Sequence, residues 1–287
     1  MAIVLGKPGV DGLDEVVGAL REWQYEGAPM QLHPGDVGFF WQSGAATTAA
    51  AVRTWSRDGR IQAVGLLDGP NLLRLTTTPE AQRDEELARQ LVADVTEPER
   101  GVLPEGKVAV EAPTGALVHD LLSEDGWKID EPWTPLSRDL TEPVQDPGVR
   151  IEVIGPELAH EFAAIHRSAF NGKFTDERWR SMAAGLPYTD ARSLVAYDDQ
   201  DNAVAVVTAW SAGPGKPGLI EPMGVHADHR GHGYGRAITV AAAAALQELG
   251  SSSATVITPN SQVGAVPTYK SAGFQPLPER RDRYRDA

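Results

Sequence analysis

Apolar residues in GLDEVVGALREW (12–23) return every three to four positions, the period of one helix face, and AATTAAAVRTW (45–55) predicts a second helix. IQAVGLLDGPNLLRLTT (61–77) reads instead as two strands about a turn at Asp68 to Asn71. A helix from about Glu80 to Val95 follows, then a strand at KVAVEA (107–112), a helix ending at Gly126 and a strand before SRDL (137–140). Proline and acid dominate TEPVQDPG (141–148), which marks a linker. Beyond it the order recurs. IEVI is a strand, GPELAHEFAAIHRSAF a helix with proline in its first turn, and TDERWRSMAAG a helix capped by Thr175 or Asp176. SLVAYDDQDNAVAVVTAW predicts a hairpin, and GLIEPMGV a strand that runs into a glycine-rich stretch. An alanine-rich helix spans Gly235 to Leu249 and is stopped by Gly250; ATVIT is a further strand, and a helix around AVPTYKSA stops at Gly273.

This recurrence has a single offset. Moving back 147 positions carries Arg230 to Arg83, Gly273 to Gly126 and Phe274 to Trp127, and lays GLIEPMG over NLLRLTT. Two copies of one α/β unit are therefore expected: residues 1–140 and 151–287, joined by a linker at 141–150.

Composition narrows the function classes. At 287 residues, with 41% hydrophobic and 23% charged positions, the chain is expected to fold as two domains. No apolar run approaches the roughly 18 residues of a membrane helix, and the start MAIVLGKPGV has no secretory pattern, so a cytoplasmic location is expected. A net charge of −14 disfavours nucleic acid and anionic membranes as partners. The absence of cysteine removes thiolate chemistry, and His226, His229 and His232 lack the further ligands of a metal site, so no metal is expected.

The chemistry concentrates in RGHGYGRA (230–237). A strand that enters a glycine-rich turn and then a helix presents unpaired N–H groups at the positive end of the helix dipole, which suits phosphate. The turn lacks the Gly-Lys-Ser/Thr of a Walker loop, and Arg236 stands where a dinucleotide fingerprint needs its third glycine. It does satisfy Arg/Gln-x-x-Gly-x-Gly/Ala through Arg230, Gly233 and Gly235. Here, with LIEPMGV before it and GAVPTYKSAGF after it, the sequence resembles the GNAT superfamily of acyl-CoA-dependent N-acyltransferases over about residues 151–285. The resemblance implies an α/β fold of two tandem GNAT-like mixed, mostly antiparallel sheets flanked by helices, the first a degenerate copy.

It also implies acetyl-CoA as cofactor. Met223, Gly224, Val225, Arg230, Gly231, His232, Gly233, Tyr234, Gly235 and Arg236 would then hold it, with Asn260 and Tyr269. Asn260 lies nine residues before Tyr269, whereas Gln262 has the seven-residue spacing common in the family; either amide can bond the cofactor or cap the helix. Tyr269 is the candidate proton donor to the thioester sulfur, or a core tyrosine. Glu221 is the candidate base for the amine, or a strand carboxylate in a salt bridge. The oxyanion would meet a strand-end N–H near Gly224 or Val225. In the first copy the offset sets Asp84, Glu85 and Glu86 in the phosphate turn, Leu122 for Tyr269 and Arg74 for Glu221, so that copy is expected to bind no cofactor. The expected reaction is direct acetyl transfer, in a ternary complex, to a small-molecule primary amine, conceivably of an aminoglycoside-like antibiotic. A protein lysine or N-terminal acetyltransferase and a noncatalytic acyl-CoA sensor are the alternatives. The protein is expected to be a monomer or homodimer.

Overall fold

The computed structural model describes residues 2–286. In the first unit, β1 (Val4–Gly6) and the helices α1 (Leu13–Glu22), α2 (Pro34–Phe40) and α3 (Ala45–Ala51) precede the strands β2 (Val52–Arg57), β3 (Arg60–Leu67) and β4 (Leu72–Thr77). Then come α4 (Glu85–Thr96), β5 (Val108–Glu111), α5 (Leu117–Glu124) and β6 (Lys128–Asp139). The second unit repeats this order as β7 (Arg150–Val153), α6 (Ala159–Phe170), α7 (Asp176–Ala183), β8 (Ala191–Tyr197), β9 (Ala203–Trp210), β10 (Pro217–Val225), α8 (Tyr234–Glu248), β11 (Ser253–Pro259) and α9 (Ala265–Ser271). It closes with β12 (Gln275–Pro276) and β13 (Arg280–Arg285).

The architecture is the expected mixed, mostly antiparallel α/β fold, with the sheets of the two units joined into one of 13 strands. Its order is β1-β2-β3-β4-β5-β13-β6-β11-β10-β9-β8-β7, with β12 beside β6. Under the repeat the order reads the same from either end. Only β4–β5 and β10–β11 pair in parallel among the described residues, and they are repeat equivalents. The last strands are exchanged: β6 pairs with β11 of the second unit, and β13 pairs with β5 of the first. Trp133 pairs with Arg280, its own equivalent at the 147-residue offset, so a pseudo-twofold axis passes between β6 and β13 at this point. The helix stops repeat to the hydrogen bond. Trp127 N–H donates to Leu122 O at 2.9 Å, and Phe274 N–H donates to Tyr269 O at 3.1 Å. Gly126 and Gly273 take φ of 84° and 89°, a left-handed turn that glycine enters without steric cost.

Each unit buries one helix layer on each sheet face. Trp55, Leu73, Leu91 and Val110 pack under α4 and α5, while Leu13, Val17, Val64 and Leu66 pack under α1 to α3. In the second unit Val207, Ile238 and Leu246 form the α8 core, and Phe162, Trp179, Val206 and Trp210 form the core under α6 and α7. Trp179 is thus a packing residue, 2% exposed, and Thr175 caps α7 by accepting from Arg178 N–H.

Two expectations are corrected. The helix expected at 45–55 ends at Ala51, because Val52–Arg57 pairs with β1 and β3 and buries Trp55 completely. The helix expected from Glu80 starts at Glu85, where the Asp84 carboxylate accepts from Leu87 N–H at 2.8 Å. Strands β1 and β13 and helix α2 were not anticipated at all. Helix α2 crosses from the first unit onto the second, and a Cβ at Gly35 or Gly38 would lie 2.5 or 2.4 Å from the Trp210 ring, so both positions require glycine.

Candidate active site

Strands β10 and β11 run together only over Pro217–Leu219 and Ser253–Thr255, and then separate. On its other side β10 slips register against β9 between Ile220 and Met223, which places Glu221 and Pro222 on an irregular segment. The result is a cleft of about 1190 Å³ that opens between the two strands. Met223, Gly224 and Val225 line one wall, and Val256 to Pro259 the other. His226 N–H donates to Val204 O at 2.9 Å, so the antiparallel alternation turns the N–H groups of Met223 and Val225 away from β9 and toward the cleft.

At the head of the cleft lies the glycine turn. Gly231 and Gly233 have φ of 81° and 87°, which folds the chain tightly ahead of α8. The first helical bond is from Ala237 N–H to Gly233 O, and among the described residues the N–H groups of 231 to 236 find no acceptor. Gly235 sits against α9, where a Cβ would come within 3.0 Å of Thr268. Arg230, Gly231, Gly233, Tyr234, Gly235 and Arg236 all line the cleft. This bare row of donors at a helix N-terminus, flanked by two arginines, fits a diphosphate.

The first unit carries the opposite arrangement at the equivalent turn. Arg57 donates to both oxygens of Asp84, at 2.8 and 3.1 Å, and to Glu86 at 3.1 Å. That contact draws the Asp84 carboxyl down to about 2. The Asp84 carboxylate thus caps the Leu87 N–H, the counterpart of Tyr234, and a local cation holds the acids at this turn.

Two of the expected binding residues lie elsewhere. Asn260 donates to Glu279 at 2.7 Å and accepts from Thr134 Oγ1 at 2.5 Å, so its amide is committed to neighbouring strands, while Gln262 lines the cleft at the family's usual spacing. The His232 ring stacks on Tyr234 at 6.2 Å and is not part of the lining, leaving only its backbone N–H on the turn.

Tyr269 and Glu221 meet in the same cleft. Tyr269 is 6% exposed, packs on Phe274, and has its phenol raised above the ordinary range by burial and by the Glu221 carboxylate. Glu221 faces the first unit. Arg74, its repeat equivalent, stands 3.7 Å away and also bridges Asp36 at 2.7 Å, Glu111 at 3.2 Å and Asp68 at 3.5 Å. Burial pushes the Glu221 carboxyl up to about 8, the Arg74 charge opposes this, and Asp36 adds to the rise through its charge and a hydrogen bond. Arg280 also reaches Glu111, at 3.1 Å, so two guanidinium groups serve this cluster of four carboxylates. Arg74 could be found in the sequence only as the counterpart of Glu221, and its contact with Glu221 follows from the strand exchange.

Asp36 is itself set by His33, which is 2% exposed. His33 N–H donates to Asp36 at 2.6 Å, while its ring accepts from Gly35 N–H at 2.9 Å and donates from Nε2 to Pro217 O at 3.3 Å. Burial lowers the ring from its ordinary 6.5 to about 4, so it is neutral in the folded protein and titrates higher when unfolded. Its contribution to stability is therefore complete above pH 6.5 and is lost as pH falls toward 4. At most about 3 kcal/mol should disappear over that window. A His33→Gln variant should show a flatter decline of Tm between pH 6.5 and 4, and an unchanged decline would clear His33 of this role.

Residues 159–274 match the model of the Acetyltransferase (GNAT) family. No curated protein matches the chain. Among solved structures, it is similar to a GCN5-related N-acetyltransferase from Sphaerobacter thermophilus, with a TM-score of 0.61 and 18% identity over 99% of this chain and 95% of that one. A tandem GNAT protein from the clavulanic acid biosynthesis pathway superposes with a TM-score of 0.63 at 15% identity, covering 99% and 98% of the two chains. A GNAT-family acetyltransferase from Colwellia psychrerythraea gives 0.63 at 13% identity, with both chains covered in full. The likeness of fold extends across both units, and the match to the GNAT acetyltransferase family model lies in the second.

Proposed function

We propose that the second unit transfers an acetyl group from acetyl-CoA to the amine of a small molecule, directly and within a ternary complex. The observation that carries this reading is the coincidence, in one cleft, of the free N–H row at 231–236 with Glu221 and Tyr269. Acetyl-CoA, the usual co-substrate of the family, supplies an activated acyl thioester. Residues 230 to 236 would hold its diphosphate, and Gln262, Thr268 and Met223 to Val225, which line the same cleft, would offer polar and main-chain groups to the rest of it. Val225 N–H is placed to steady the negative charge that develops on the carbonyl oxygen.

The amine arrives as an ammonium ion and must lose a proton before it can attack. Glu221, with its carboxyl raised to about 8, accepts that proton in its ionised form, whose share grows as pH rises through about 8. Tyr269, whose phenol stays protonated, delivers one to the departing sulfur. The first unit acts without cofactor. It covers the cleft and supplies Arg74, Asp36 and Phe39, which is the shaping role its position suits. A polycationic acceptor fits poorly, because Glu221 is the single carboxylate on a wall that carries Arg74, Lys173, Arg178, Arg230 and Arg236.

Thiol release from acetyl-CoA, followed across monoamines, amino acids, polyamines and basic peptides, tests this reading. Turnover is expected with a small monoamine. Tight binding of acetyl-CoA with no release on any amine would replace the enzyme by a sensor, and release on basic peptides alone would replace the small molecule by a protein.

A further inference from the structure

The end of the cleft farthest in character from the glycine turn is aromatic. His166, on α6, lies 4.4 Å from the Phe174 ring, 4.7 Å from Phe170 and 6.1 Å from Phe39, and Phe39 and Phe174 are parallel at 6.4 Å. All four rings line the cleft. Phe39 comes from the first unit on α2, so this surface exists only because the two units pack together. Phe170 joins it to the reacting centre, since a Cβ at Gly224 would lie 3.1 Å from the Phe170 ring.

Burial, with Arg178 and Arg167 nearby, holds His166 near 4 and hence uncharged at neutral pH. Its Nδ1 is enclosed without a hydrogen-bond partner. At the exposed mouth stand Lys173 and Arg178, neither paired with a carboxylate among the described residues. A ligand that fills this end meets apolar rings first and unneutralised positive charge at the rim.

Resting on the acetyl-transfer reading above, we infer that the acceptor is an amine borne on an aromatic or compact apolar body with an anionic group at its far end. The body lies against Phe39 and Phe170, the anion faces Lys173 and Arg178, and the amine is thereby directed toward Glu221. The balance of the reaction is complete. An N–C bond forms as the thioester C–S bond breaks; the ammonium gives one proton to Glu221, which releases it to solvent, the sulfur takes a proton from Tyr269, and the second proton shed by the nitrogen restores the Tyr269 phenol. A second ammonium group on the acceptor would be repelled at the rim, which separates this class from polyamines.

Three probes discriminate: 4-(aminomethyl)benzoate, benzylamine and spermidine. Thiol release with acetyl-CoA should give the carboxylate-bearing amine a kcat/KM about 3- to 10-fold above benzylamine, the range expected of exposed, solvent-screened charge contacts, with spermidine lowest. Replacing both cations, Lys173→Gln with Arg178→Gln, should erase that advantage through KM while leaving kcat and the benzylamine rate unchanged. Phe170→Ala should raise KM for both aryl amines. Spermidine as the best acceptor, or a carboxylate preference that survives the double substitution, overturns the inference and leaves the acetyltransferase reading standing. If no amine is turned over, that reading fails. Calorimetry of 4-(aminomethyl)benzoate with the intact protein then decides the site by itself: binding that the double substitution weakens supports it, and no binding overturns it.

Discussion

Tyr269→Phe should lower kcat by about 100-fold or more while acetyl-CoA binding and Tm stay close to the parent values, the lower end of what a positioned proton donor contributes. The ring is nearly buried and packs on Phe274, and the phenol makes no hydrogen bond among the described residues, so its removal leaves no orphaned partner there. A purely structural tyrosine would behave in the opposite way, with stability changed and turnover kept. The decisive comparison is single-turnover chemistry for the two proteins at saturating acetyl-CoA, because slow product release can mask a loss in the chemical step. Equal single-turnover rates would remove Tyr269 from the mechanism.

Arg74→Met should cost about 3 to 5 kcal/mol of stability, since it strands buried carboxylates whose shared cation is gone. Asp36 is the most enclosed of the four, with its side chain 8% exposed, while Glu111 keeps its contact with Arg280 at 3.1 Å. The same change should shift the activity profile. Arg74 lowers the Glu221 pKa against the larger effect of burial, so its loss lifts that carboxyl above its present value of about 8. Activity requires Glu221 ionised; in the parent it should therefore rise with pH through about 8, and in Arg74→Met the rise should move to more alkaline pH. Denaturant unfolding measures the first effect and kcat/KM against pH the second. A variant that is less stable but keeps the same acidic limb would make Arg74 structural and deny Glu221 the role of base.

What the sequence discloses depends on whether a feature is local. The repeat is visible because a helix stop is a local device, and Gly126–Trp127 and Gly273–Phe274 are the same device used twice. The glycine turn ahead of α8 is visible for the same reason, as its conformation is written in Gly231 and Gly233. Helix α2 is hidden because its two glycines read as breakers, and only the Trp210 ring against which they lie explains them. Strand β13 is hidden by its charge. RRDRYR has no apolar alternation, and it is held by contacts made far away in sequence, Arg280 with Glu111 and Arg285 over the Trp127 ring at 5.3 Å. The segment 45–55 misleads because alanine continues a helix until Trp55 claims a place in the sheet. Asn260 and Gln262 are indistinguishable in chemistry, and only the partners Thr134 and Glu279 tell them apart.

Residues 280–285 complete the sheet of a unit that begins nearly three hundred positions earlier, pairing with Val108 to Val110. As the polypeptide leaves the ribosome, the amino-terminal half can collapse early, but β5 keeps an unsatisfied edge until the closing segment emerges. Birth order and folding order are thereby uncoupled. A duplication that had merely set two copies side by side could have let one drift away or be lost; the crossed strands make each half the scaffold of the other, so the half with the occupied turn persists as a condition for the half that reacts.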